Sequence, residues 1–217
     1  MKQIFLAIFA LLAAATVFPQ TAVFKELSGK VEYQLAGQEW RPAKAGAEVP
    51  KGTMISTGFK SMALIALGNA SVLVKPLTRL TIEEIVRVEG SEAARLFLIA
   101  GRVRAEITPE SGKTLDFSVR SSTATASVRG SGFDFDSVNL EKIRGKTRFV
   151  NLIGQSRTIL DGETSKLAND GTVEAPRKLQ EQRSVVIGTS DFGFTSGDSG
   201  VGIIPPALGV VFIIEIQ

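Results

Sequence analysis

The chain contains neither cysteine nor histidine. Without cysteine there are no disulfides, no thiol nucleophile, no iron–sulfur cluster and no thiolate-bound zinc. Without histidine the commonest general base and the commonest metal ligand are missing, and Ser-His-Asp chemistry is excluded. Charge is nearly balanced as well, with 25 Lys and Arg against 22 Asp and Glu. The densest basic stretches, Arg144-Gly-Lys146-Thr-Arg148 and Arg177-Lys178, are short and have acidic neighbours in Glu141, Glu174 and Glu181. A nucleic-acid binder gathers its cations on one face, so nucleic acid is not an expected partner.

Long apolar runs are scarce. Ile4 to Phe18 is apolar after a positively charged start at Met1-Lys2-Gln3, but it falls short of the roughly 20 residues that cross a bilayer core. Ala13-Ala14-Ala15 fits a small-residue cleavage site, and Pro19-Gln20 breaks any helix running on. Residues 1–22 therefore read as a cleavable secretory signal, cut between Ala15 and Ala22. No stable membrane span is expected after its removal. With no cysteine to carry a lipid, the product is expected to be a soluble periplasmic or secreted protein. Its length of 217 residues leaves enough chain for a core that needs no disulfide.

What is present is strand punctuation. Apolar and polar residues alternate through Leu96-Phe-Leu98, Val103-Arg-Ala105-Glu-Ile107 and Phe133-Asp-Phe135-Asp, the period of a strand with one face inside. Short apolar runs at Ile55, Ala63–Ile65 and Val72–Val74 are separated by Gly58 and Gly68-Asn69. Ile99-Ala-Gly-Arg102 reads as a hairpin between its flanking strands, and Asn169-Asp-Gly171 as a second turn. Helical periodicity is weak and confined to Ala175–Ser184, a short surface helix or a polar linker. The expected fold is all-β: a short-stranded sandwich or a β-solenoid-like stack over 23–172. A polar, Gly/Ser-rich linker (173–202) and a flexible tail follow, the tail ending in an apolar strand-like segment (203–217).

Constellations for catalysis are thin. Gly197-Asp-Ser-Gly200 resembles a serine-nucleophile string, but no histidine exists to take the proton. Thr57-Gly-Phe-Lys60 pairs a hydroxyl with a lysine at a strand end and reads as structural. Asp134 and Asp136 share one strand face at roughly 7 Å, a separation suited to paired-carboxylate hydrolysis. With Phe133 and Phe135 on the other face, the expectation is aromatics inside and acids in water. No catalytic residue, cofactor or metal site is assigned. Trp40 and Tyr33 are candidates for a stacking patch toward a sugar or peptide; the competing reading puts Trp40 in the core of the first hairpin.

The order of several short motifs resembles the FecR domain family. It begins at Gly29-Lys-Val31 and Trp40 and passes through Gly46, Val49-Pro-Lys-Gly52, Ile55-Ser-Thr-Gly58, Ser61 and Ala63. Gly68-Asn-Ala-Ser-Val72, Pro76, Leu80 and Leu98-Ile-Ala-Gly-Arg-Val103 follow. The most specific piece runs from Phe117-Ser-Val119 to Thr123-Ala-Thr-Ala-Ser-Val-Arg-Gly-Ser131 and Phe133, with Ser131 where the family has Thr. Phe149–Gly154 and Leu160-Asp-Gly-Glu163 close the likeness, which covers Gly29 to Gly171. It implies an all-β periplasmic module without chemistry of its own. In members that regulate iron uptake, the module sits behind a membrane helix and an anti-sigma segment and takes a signal from an outer-membrane transporter. With so short a stretch before Gly29, an anti-sigma domain is not expected here. Arg129, Gly130 and Ser131 are candidates for a structural turn or for part of a recognition surface. A binding module for an envelope protein or glycan is thus expected, or accessory iron-uptake signalling without an anti-sigma domain. The alternative is a surface-layer or filament component self-associating through its C-terminal segment.

Overall fold

The computed structural model describes residues 21–88, 91–108, 114–128 and 132–178, all within the unit that ends at Leu179. They form eighteen strands: β1 (Thr21–Ser28), β2 (Val31–Gln34), β3 (Trp40–Pro42), β4 (Glu48–Pro50), β5 (Met54–Thr57), β6 (Met62–Leu67), β7 (Ala70–Val74), β8 (Arg79–Val88), β9 (Ser91–Ala100), β10 (Val103–Ile107), β11 (Thr114–Ser121), β12 (Ala124–Val128), β13 (Gly132–Phe135), β14 (Asn139–Arg144), β15 (Thr147–Asn151), β16 (Ser156–Ile159), β17 (Glu163–Lys166) and β18 (Arg177–Lys178). No helix occurs among the described residues. The all-β expectation holds.

Two nine-stranded sheets share the strands, in the orders β18-β17-β14-β13-β10-β7-β6-β1-β4 and β16-β15-β12-β11-β9-β8-β5-β2-β3. They are called the first and second sheet below. Both orders advance in the same direction along the chain. The chain lays one or two strands in one sheet, crosses to the other, and repeats, so a sandwich in section is solenoid-like in its winding. Pairing is antiparallel throughout, except that β9 and β11 run parallel with β10 between them in the facing sheet.

The alternation seen in the sequence is what builds the core. Inward residues such as Ile65, Val72, Val103, Ala105, Leu80, Leu96, Leu98, Val119 and Ala126 are buried, and together they form one apolar cluster. Three aromatic pairs join the sheets: Phe24 with Tyr33 (5.9 Å between centroids), Phe117 with Phe133 (6.1 Å) and Phe135 with Phe149 (6.0 Å). Such pairs contribute about 0.5–1.5 kcal/mol beyond the area they bury.

Three expectations are corrected. Ile99–Arg102 is not a hairpin: β9 and β10 lie in different sheets, so the turn is a crossover. Alternation is the same whether a strand pairs with its successor or faces it across the core. Folded structure also continues beyond 172. Val173 is buried and bridged to Leu167, and Arg177–Lys178 pairs with β17 as a strand, not a helix or linker. The Asn169–Gly171 turn does form, closed by Gly171 N–H donating to the Ala168 carbonyl at 2.8 Å.

Candidate interaction surface

Strand registers place the turns at two ends of the sandwich. One end gathers 58–61, 75–78, 99–102, 121–123, 136–138, 151–155 and 167–173. The other gathers 35–39, 51–53, 68–69, 145–146 and 160–162. The first group, called the rim below, carries the unusual features.

All three non-glycine residues with positive φ among the described residues lie on this rim: Lys60 (51°), Leu77 (56°) and Ser137 (81°). Such conformations are strained for a side chain with a Cβ, and they persist only where the surroundings enforce them. The enforcing groups are hydroxyls, buried at Thr57, Ser61 and Thr78 and half-buried at Thr123. Thr57 Oγ1 donates to the Lys75 carbonyl at 2.6 Å and accepts from Thr78 N–H at 3.0 Å. Thr78 Oγ1 donates to the Arg102 carbonyl and accepts from Arg102 N–H. Ser61 Oγ accepts from Lys30 N–H at 2.8 Å. Thr123 Oγ1 donates to the Ser137 carbonyl at 2.6 Å. Gly101, at φ +88°, lies so near Thr78 that a Cβ would come within 2.5 Å of the Thr78 Cα. Thr57 and Lys60 thus belong to the scaffold of the rim, as their strand-end position implied.

Charged residues brace the rim from the outer face of the first sheet. Asp134 is only 1% exposed, contrary to the expected solvated acid. Lys75 forms an ion pair with it, Arg104 Nε reaches it at 3.2 Å, and Arg102 Nε stands 3.5 Å from its other oxygen. Cross-strand pairing explains this: Arg104 is the direct partner of Asp134 on β10. Alternation tells which face a residue takes but not what its neighbours cover. Asp136 pairs with Arg102 and accepts from the backbone N–H groups of Val138 and Asn139. Burial works to raise its pKa, but the bonds from Asn139 and Arg102 prevail and hold the carboxyl below its ordinary value. Both acids are committed to cations, an arrangement that positions turns.

At the far part of the rim the turns enclose a cleft of about 420 Å³ lined by Thr123, Val138, Asn151, Leu152, Ile153 and Leu167, among others. Asn151 shapes it, donating to the Gly171 carbonyl at 2.8 Å and accepting from Gln155 N–H at 2.8 Å. Gln155 Oε1 in turn accepts from Val173 N–H. Leu152 and Ile153 stand at its mouth, 74% and 81% exposed. The sequence carried a signal for them, since an apolar pair directly before Gly154 falls where the strand has ended.

The sequence candidates fare differently. Arg129, Gly130 and Ser131 lie outside the described residues, as do most of the signal segment, Gly197–Gly200 and 203–217. Tyr33 packs inward on Phe24. Trp40 is 36% exposed on the edge strand β3, with the Arg79 guanidinium 5.4 Å from its ring centroid. Trp40 is therefore not a core residue, and because Tyr33 pairs with Arg41 and not with Trp40, the two do not form one patch. Among the described residues no group of three or more acidic side chains is placed to hold a metal ion.

The geometry describes a two-sheet β-module whose distinctive residues sit on one end. Residues 53–155 match the family model described as FecR protein. The match falls within the stretch where the motif order implied a FecR domain. No curated protein matches the chain. Two crystal structures of a candidate anti-sigma factor from Parabacteroides distasonis ATCC 8503, at 2.50 Å and 1.65 Å, are similar to it at 16% and 14% identity, each with a TM-score of 0.47. Each match covers 58% of this chain and 59% of the other, so the likeness spans under two thirds of that protein.

Proposed function

We propose that this protein is an exported, non-enzymatic FecR-like module that works by binding another component of the bacterial envelope at the Leu152–Ile153 cleft. The observation that carries the reading is the exposure of these two large apolar side chains beside a cleft whose walls are fixed by Asn151 and Gln155. Exposed apolar groups around a preformed hollow are the usual anchor points of protein recognition. The FecR domain and the sequence-level export signal supply the envelope setting. A photo-crosslinking residue at Ile153, and in a second strain at Lys51 on the opposite end, tests it in native cells. A discrete adduct from position 153, absent from position 51 and lost with Leu152→Asp, is expected. Identical products from both positions would contradict the proposal, as would none from 153.

A further inference from the structure

The near part of the rim has a different chemistry from the cleft. The turns 58–61, 75–79 and 99–102 contain Lys60, Lys75, Arg79 and Arg102 and no acidic residue. They also expose Phe59 (73%), Leu77 (64%) and Ile99. Lys60 Nζ lies 5.5 Å from the Phe59 ring centroid, so one turn presents an aromatic body with a cation beside it. Leu77 and Ile99 flank a shallow hollow of about 300 Å³ floored by Thr57 and Thr78.

Phe59 stands apart from this hollow, on the turn before it. Each turn crosses between the two sheets, from β5 to β6, β7 to β8 and β9 to β10. Neighbouring strands are about 4.8 Å apart, so the tips follow one another along the end of the sandwich. The seam of Thr57, Thr78 and Ser61 holds them rigidly, with Leu77 kept outward at positive φ. Lys75 and Arg102 are paired to acids and Arg79 lies over Trp40, which leaves a row of rigid apolar tips flanked by the charges of Lys60 and Arg79. It is matched by a surface that is apolar in depth, anionic on top and extended in the plane.

We propose that this near part of the rim docks on an anionic lipid surface, Phe59, Leu77 and Ile99 entering the interfacial layer while Lys60 and Arg79 meet headgroup phosphates. Lys75 and Arg102 are held by Asp134 and Asp136 and set the tilt of the turns. The inference is independent of the cleft: a bilayer here leaves Leu152 and Ile153 to their own partner.

Because Trp40 is the sole tryptophan, a site-specific reporter is simple to make. In the full chain carrying Trp40→Phe, Leu77→Trp is compared with Leu160→Trp at the opposite end. Vesicles of equimolar phosphatidylcholine and phosphatidylglycerol are expected to shift the Leu77→Trp emission to the blue and to allow quenching by brominated acyl chains. The Leu160→Trp emission should be unmoved. Lys60→Ala should weaken the vesicle titration about fivefold at low salt, the size expected for one cation at an anionic surface. Phe59→Trp serves as a second reporter if the Leu77 variant fails to fold. Equal quenching at 77 and 160, no response at 77 and 59, or a response to inorganic phosphate alone would overturn the proposal. So would a response to a lipid-free envelope protein fraction without a response to vesicles, which would assign the surface to a protein.

Discussion

The two ends of the sandwich are built by the same strands and solve the turn problem differently. At the end opposite the rim, Gly37, Gly52, Gly68, Gly145 and Gly162 take the positive φ values of the described turns. Glycine adopts that region without penalty, and only Leu160 among large apolar residues is exposed in those turns. On the rim, Gly101, Gly154 and Gly171 take such values as well, but so do Lys60, Leu77 and Ser137 despite their Cβ atoms, and Phe59, Leu77, Val138, Leu152 and Ile153 stand exposed. The strained, apolar-tipped turns are confined to one end, which is why the working surface is proposed there.

The largest test of the contrast is steric. Gly101→Ala places a Cβ 2.5 Å from the Thr78 Cα and 2.7 Å from the Leu77 carbonyl, and a loss on the order of 3–4 kcal/mol is expected in urea unfolding. Gly52→Ala, at φ +85° with nothing within 4 Å, should lose only about 1 kcal/mol. Equal losses would erase the difference between the ends.

Next comes Lys142, buried on β14 beside the register shift at Gly132, whose carbonyl accepts from its ammonium at 2.8 Å. Burial pushes its pKa down from 10.5 to about 8, with Asp161 pulling it up and Arg144 pushing it further down. Below pH 8 both folded and unfolded chains hold the proton, and the burial cost is fully present. As pH rises from about 8 to 10.5 the folded chain sheds the proton first, so stability rises across that window. The gain is up to about 3 kcal/mol, and Lys142→Met should flatten it. A smaller effect is expected of Thr78→Val, which strands Arg102 N–H and takes the Thr78 hydroxyl from the Arg102 carbonyl at the rim: about 2 kcal/mol. The exposed Thr158→Val on β16 should change stability by less than about 0.5 kcal/mol. Opposite in sign, Leu77→Gly should stabilise by about 0.5 kcal/mol because the strain at φ 56° disappears.

Much of the fold was legible because strand period reports facing. Phe133 and Phe135 point inward as their alternation required, and the turn at Asn169–Gly171 forms where composition placed it. Connectivity was less legible: a glycine between two apolar strands reads as a hairpin, and nothing local says that β10 leaves for the other sheet. Asp134 was misplaced, and Trp40 was left open between surface and core, for a related reason. Burial of an outward acid depends on Lys75, Arg102 and Arg104, which arrive from other strands, and exposure of Trp40 depends on β3 being the last strand of its sheet. The motif residues Thr57, Gly58, Ser61 and Gly101 were visible as a family pattern, while their joint purpose, bracing one end, emerges only from their bonds across the turns.

The central claim is that the rim is the working surface. The most direct test is covalent footprinting of the intact protein, free and mixed with the native envelope fraction, read residue by residue. Protection confined to Phe59, Leu77, Val138, Leu152 and Ile153, with labelling unchanged at Lys51, Asn69 and Leu160, is the predicted result. Protection at the opposite turns or on the sheet faces, with the rim left open, would contradict it.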